Sequence, residues 1–258
     1  MNKLKNLIEK ENLAIISCYD ATFASMLANT EVDALLVGDS LGTRVKGEMD
    51  ILNVTMHEIL YHTRAVKNGA NNLPIISDMP IHSYDTKSAA LINAKKIIEA
   101  GADGVKIEGG KEIEDIVRHL NKEEIFTCGH IGFTPQTKNI SEFKFKLDDL
   151  LEDAKILQNA GISMIVLSML NIEASKAIAT ELDIPTISYK SSNGCSGSVE
   201  ILYDLLGLKV STTLNPSKKN NDNYINFNFK SIQDFIKKLI CFNDHFKKLK
   251  LNKSEFSE

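Results

Sequence analysis

The sequence predicts a single-domain α/β protein of the (β/α)8 barrel type, and three observations lead there. Short apolar runs alternate along the chain with stretches whose apolar residues repeat at helical spacing, which is how strand–helix units are written in sequence. The chain has 258 residues with 43% hydrophobic content, a length typical of one α/β barrel. Three of the apolar runs end in an acid, at Asp39, Asp78 and Glu108, spaced 39 and then 30 residues apart, about one strand–helix–strand unit each.

After a short polar helix, Ala14 to Cys18 reads as the first strand, and the helix after Tyr19-Asp20 points Phe23, Met26 and Leu27 into a core. The second strand is Leu35-Leu36-Val37-Gly38-Asp39-Ser40, delivering a carboxylate and a hydroxyl together at its carboxyl end. Thr43 to Asn53 is longer than a simple βα loop and suits a lid or substrate contact; a helix then runs from about Thr55 to Lys67.

The third strand ends at Asp78-Met79-Pro80, and its helix carries Leu91, Ala94, Ile97 and Ile98 on one stripe. Strand four holds Lys106 and Glu108, two apart and so on the same side. A helix with Ile113, Ile116, Val117 and Leu120 leads to strand five, Ile125 to His130, and to a turn-rich loop ending in Gln136. Further helices are predicted from Leu147 to Ala160 and Ile172 to Glu181, with strands at Ser163–Ser168, Pro185–Ser188 and Val199–Tyr203. The barrel is expected to occupy residues 1–208. Residues 209–258 form a surface segment and a final helix, Ile232 to Leu249, packed on the barrel or on a neighbouring subunit.

A formal net charge of -4 gives no reason to expect a nucleic-acid or membrane partner. The lysines near the C-terminus read as a solvated helix face. Cys18, Cys128, Cys195 and Cys241 are widely spaced with no CxxC pair, so free thiols in a reducing cytosol are expected, with neither zinc nor a disulfide framework. With no apolar stretch long enough to span a bilayer, the chain is expected to be soluble and cytoplasmic.

In a barrel, chemistry sits at the carboxyl ends of the strands, where all three acids fall. Carboxylates with a hydroxyl make a hard oxygen site that suits Mg²⁺ and disfavours zinc. Such an ion, chelated by an α-keto acid, would acidify the carbon next to the carbonyl, and Lys106 could pair with the acid's carboxylate. Taken singly, each acid could instead cap the helix that follows it. His130, at the end of strand five, faces the same rim. His57 and His62 read as packing or surface residues, and Gly109-Gly110 serves equally well as a phosphate loop or a tight turn.

Leu36-Val37-Gly38-Asp39-Ser40-Leu41-Gly42, Tyr61-His62, Asp78-Met79-Pro80, Gly104-Val105-Lys106-Ile107-Glu108-Gly109-Gly110 and Cys128-Gly129-His130-Ile131-Gly132-Phe133-Thr134-Pro135-Gln136 together resemble ketopantoate hydroxymethyltransferase. The match is collinear from about Ala14 to Gln136, half the chain. The resemblance implies a Mg²⁺-binding (β/α)8 barrel acting on 3-methyl-2-oxobutanoate, with 5,10-methylenetetrahydrofolate as co-substrate, to give ketopantoate for pantothenate synthesis. It also implies Asp39, Asp78 and Glu108 as metal ligands; Asp39, Ser40, Asp78 and Lys106 as substrate contacts; and a homo-oligomer.

The second half departs from the family pattern. Ser168 in Val166-Leu167-Ser168 stands where the family's proton-accepting glutamate is expected, so the catalytic base is unassigned, with His130 a candidate. Ser188-Tyr189-Lys190-Ser191-Ser192 replaces a G-I-G-A-G strand end, Ser196 replaces an aspartate, and the later basic motif survives only loosely in Pro216-Ser217-Lys218-Lys219. Loss of a positioned base costs ~10² to 10⁴ in rate, whereas a metal site would still bind the keto acid. Three readings therefore stand: the hydroxymethyltransferase, a related metal-dependent carbon–carbon bond enzyme on another α-keto acid, and a silent metabolite-binding barrel.

Overall fold

The computed structural model describes residues 3–141, 143–190, 194–206 and 208. Eight parallel strands close into a barrel in sequence order: β1 Leu13–Ser17, β2 Ala34–Val37, β3 Ile75–Asp78, β4 Gly104–Glu108, β5 Thr127–Gly132, β6 Met164–Ser168, β7 Thr186–Tyr189 and β8 Gly197–Ile201. The helices are α1 Lys5–Ile8, α2 Ala21–Leu27, α3 Leu41–Arg44, α4 Met56–Gly69, α5 Lys87–Glu99, α6 Glu114–Lys122, α7 Leu147–Ala160, α8 Ile172–Glu181 and α9 Leu202–Leu205. A 3₁₀ turn, Lys111–Ile113, leads into α6.

Because strand side chains alternate between faces, each strand feeds two cores. Ile15, Leu36, Ile76, Cys128, Val166 and Val199 fill the barrel interior. Their neighbours Ile16, Leu35, Ile75, Ile107 and Leu167 face outward into the larger core against the helices. Leu4 and Leu7 join the inner cluster, so the start of the chain plugs the barrel floor and leaves the carboxyl ends of the strands as the open rim.

The helices begin where the sequence supplies caps. Thr55 and Glu58 form a reciprocal capping box on α4, Thr86 accepts from Ala89 N at the start of α5, and Asn171 accepts from Ala174 N at the start of α8.

The bounds of β1 and β7 and the start of β6 shift by one residue from expectation, β2 ends at Val37 so that Asp39 and Ser40 lie just beyond it, and β5 and β8 shift by two. β5 starts and ends two residues later than Ile125–His130, because Ile125 N closes the preceding helix on Leu120 O and the pairing with β6 continues to Gly132 opposite Ser168. β8 starts two residues before Val199, and Leu202 and Tyr203 turn into α9. Its first residue, Gly197, pairs with Leu13, where any Cβ would lie 2.5 Å from the Leu13 Cβ. Close approach of two backbones, rather than an apolar side chain, marks that strand's start. The expected segment 209–258 and its helix lie outside the described residues.

Candidate active site

The register of the strands brings the chemistry to one place. Asp78 on β3 is level with Lys106 on β4, and Glu108 on β4 is level with His130 on β5. All four are inward-facing, buried, and line a cavity of about 190 Å³ at the barrel's rim. Asp39 joins them from just beyond β2, held by its own backbone N–H, which donates to Asp78 Oδ2 at 3.0 Å. None of the three acids caps a helix: α3 begins at Ser40 without a side-chain cap, and α5 is capped by Thr86.

Ion pairs and hydrogen bonds surround them. Lys106 Nζ lies 2.9 Å from Asp78 Oδ1 and 3.9 Å from Glu108 Oε1. His130 Nδ1 is 2.8 Å from Glu108 Oε1, which leaves Nε2 buried without a hydrogen-bond partner. Ser40 Oγ lies 2.7 Å from the Tyr19 hydroxyl, and His62 Nδ1 lies 2.7 Å from the Tyr19 carbonyl, so His62 is part of the support of this rim rather than a surface residue. Gly109-Gly110 forms a turn, with Gly110 N–H donating to Glu112 Oε1.

The electrostatics follow from burial and charge count. Burial, with Asp78 and Glu108 close by, holds the Asp39 carboxyl well above the usual aspartate range, against the pull of Lys106 and Gln136. Burial would lower the Lys106 ammonium, but Asp78, Glu108 and Asp39 outweigh it and raise its pKa. Burial likewise works to raise Glu108, yet His130, Lys106 and the Gln136 N–H hold it below the usual glutamate range. Three carboxylates and one ammonium leave a formal charge of about -2 when all are ionised, a deficit matching a divalent cation. Among the described residues, no three His, Cys, Asp or Glu side chains are gathered tightly enough to hold an ion as they stand.

Ser168 ends β6 fully buried, its Oγ unpartnered. It does not line the cavity; the next residue, Met169, does, in a left-handed backbone conformation with φ 56°. Sequence reasoning missed Tyr84, Tyr19 and Arg44, and assigned Gln136 no role. Arg44 lines the cavity and forks onto Asp204 (Nε–Oδ1 2.7 Å, Nη2–Oδ2 2.8 Å), tying the connection after β2 to α9.

The family model for ketopantoate hydroxymethyltransferase matches residues 1–239. The chain belongs to the ketopantoate hydroxymethyltransferase family. Among its relatives, the 3-methyl-2-oxobutanoate hydroxymethyltransferase of Saccharolobus solfataricus is 40% identical over 218 residues, covering 81% of each chain. That of Photorhabdus laumondii is 38% identical over 218 residues, 82% of each. That of Buchnera aphidicola is 36% identical over 248 residues, 93% of this chain and 91% of that protein. Phosphoenolpyruvate phosphomutase from Streptomyces platensis shares the fold, with a TM-score of 0.64 at 14% identity over 79% of this chain and 81% of that one. Family membership thus extends well past Gln136, over the half of the chain where the motifs depart. No helix among the described residues is long and apolar enough to cross a membrane.

Proposed function

We propose that this member of the family transfers a hydroxymethyl group from 5,10-methylenetetrahydrofolate to 3-methyl-2-oxobutanoate, giving ketopantoate. The observation that supports it most is the buried row of Asp39, Asp78, Lys106 and Glu108 at the rim of a barrel of this family. The hard oxygen donors and the excess negative charge fit Mg²⁺, with Asp39, Asp78 and Glu108 as the residues that would hold it. Bound there, Mg²⁺ supplies Lewis-acid polarisation of the keto group, which acidifies C3.

The chain's own residues do the rest. Lys106 and Ser40 orient the substrate carboxylate and keto oxygen, while the apolar walls from Leu36, Val166, Val199 and Ile201 receive the branched tail and exclude water. With Ser168 outside the cavity lining, the C3 proton is received at the unpartnered Nε2 of His130, whose ring lines the cavity while Nδ1–H is oriented by Glu108. Water takes the methylene carbon off the folate, breaking both of its C–N bonds and leaving one proton on each nitrogen, and C3 then bonds to the resulting formaldehyde-level carbon, whose oxygen takes up the proton removed from C3 and becomes the hydroxyl. The buried thiols Cys18 and Cys128 suit work in a reducing cytosol, and exposed Val45, Met49 and Leu52 on the connection after β2 support a homo-oligomer.

A second reading, a barrel that binds the keto acid without turning it over, is favoured by one observation: Ser168 has no acid–base function of its own. The assay is formation of ketopantoate and tetrahydrofolate from both substrates with Mg²⁺. Product above the rate without protein supports the transferase; keto-acid binding by calorimetry without product establishes the silent barrel.

A further inference from the structure

Gln136 sits at the junction of the network, bonded to Glu108, Asp39, Met79 and Tyr84. Its backbone N–H donates to Glu108 Oε2 at 3.1 Å. Its side-chain Nε2 donates both hydrogens, to Asp39 Oδ2 at 2.8 Å and to the Met79 carbonyl at 3.0 Å. Its Oε1 lies 2.6 Å from the Tyr84 hydroxyl, and Gln136 itself is 4% exposed, so solvent does not substitute for these bonds.

The direction of every bond in this chain is fixed by its ends. The Glu108 backbone N–H can only donate, and it reaches the Tyr84 oxygen at 3.3 Å. The single Tyr84 hydrogen has two acceptors in reach, the Glu108 carbonyl at 3.2 Å and Gln136 Oε1 at 2.6 Å, and it goes to the shorter contact, Gln136 Oε1. That turns the amide so that Nε2 faces Asp39 and Met79, whose carbonyl can only accept. A one-way relay thus runs from the β4 backbone through Tyr84 and Gln136 to the carboxylate beyond β2, and the same Gln136 grips the Glu108 carboxylate with its backbone.

We infer that Gln136, oriented by Tyr84, is a positioning residue that holds the Asp39 and Glu108 carboxylates apart and aimed at a shared divalent cation. This rests on the metal assignment under the proposed function. Gln136 is neutral, so it satisfies one oxygen of each acid without competing for the cation's charge; it leaves Asp39 Oδ1 uncommitted, while Glu108 Oε1 keeps its contact with His130 Nδ1 and a second lone pair. A lysine could not take that place, because a second ammonium beside Lys106 would cancel the charge that attracts the ion.

The test uses Mn²⁺ as probe, read by electron paramagnetic resonance on the full-length chain, with thermal unfolding measured without metal. Wild type, Gln136→Ala, Tyr84→Phe, the double variant and Asp39→Asn are compared. The inference expects Gln136→Ala to raise the Mn²⁺ Kd about 10- to 100-fold, in the range of outer-sphere partners. It expects Tyr84→Phe to raise it at least threefold, and the double variant to be no worse than Gln136→Ala alone, since both act through one amide. A Kd within twofold of wild type in Gln136→Ala, with Asp39→Asn impaired, overturns the inference while leaving the metal site standing. If Gln136→Ala does not fold, Tyr84→Phe decides alone by the same twofold criterion. Wild type that binds no Mn²⁺ overturns the metal assignment and this inference with it.

Discussion

The Lys106 ammonium and the Asp78 carboxylate form a buried ion pair, 2.9 Å from Nζ to Oδ1, with side chains 6% and 2% exposed. Removing one partner of such a pair leaves an uncompensated buried charge, at a cost of about 3–5 kcal/mol. Here the charge left behind is negative and sits beside two more carboxylates, where a cation can replace the ammonium.

Lys106→Met is therefore expected to unfold at lower temperature without metal and to recover more of its Tm on adding Mg²⁺ than wild type does. Divalent affinity should rise or hold while keto-acid affinity falls at least tenfold, because the substrate carboxylate has lost its partner. Calorimetric titration of each ligand checks both halves; a parallel loss of metal and keto-acid binding contradicts the division of roles.

Glu200 gives the fold a pH dependence away from the site. On β8, mainly through burial, its carboxyl is pushed up from 4.5 to about 7. The folded protein thus holds a proton that the unfolded chain releases between those values. The stabilisation is complete below about pH 4.5 and is lost as pH rises through about 7, by at most a few kcal/mol. Urea midpoints at pH 5 and pH 8 should differ less in Glu200→Gln than in wild type; an unchanged difference contradicts the assignment.

Gly69, the last residue of α4, lets that helix meet α2, because a Cβ there would fall onto the Ala21 carbonyl. Gly69→Ala should destabilise the fold by about 1–3 kcal/mol through overpacking, read as a lower urea midpoint with little change in m-value. A midpoint equal to wild type would mean that the helices shift apart at no cost.

Ser168→Glu places a carboxylate where the family pattern has its proton acceptor. At a buried position with an unpartnered Oγ, the added acid is expected to accelerate C3 deprotonation by ~10- to 10³-fold if its oxygens reach the cavity. NMR exchange rates for the variant and wild type measure this directly. A stably folded variant with no acceleration would mean that position 168 cannot serve as the base in this chain.

Much of this was legible in the sequence. Helices α7 and α8 fall on the residues their apolar spacing marks, because amphipathic periodicity and the Asn171 cap are local signals. Lys106 and Glu108, two apart on one strand, were placed on one face by the same local geometry, and both point inward. The Tyr84–Gln136 contact spans 52 residues and depends on the barrel closing, so no local pattern announces it. The start of β8 was hidden for a related reason: Gly197 and Ser198 are there for strand approach and carry no apolar signature. Nor did the sequence show that Met169 rather than Ser168 joins the cavity lining, since that depends on how the chain leaves β6 at Met169.

The most direct test of the proposed chemistry is exchange of the C3 proton of 3-methyl-2-oxobutanoate in D₂O, followed by NMR with wild type and His130→Gln, with and without Mg²⁺. Exchange that needs both protein and Mg²⁺, and that slows ~10²-fold or more in His130→Gln, is the predicted result. Keto-acid binding without exchange in the wild type, or exchange indifferent to His130, would contradict it.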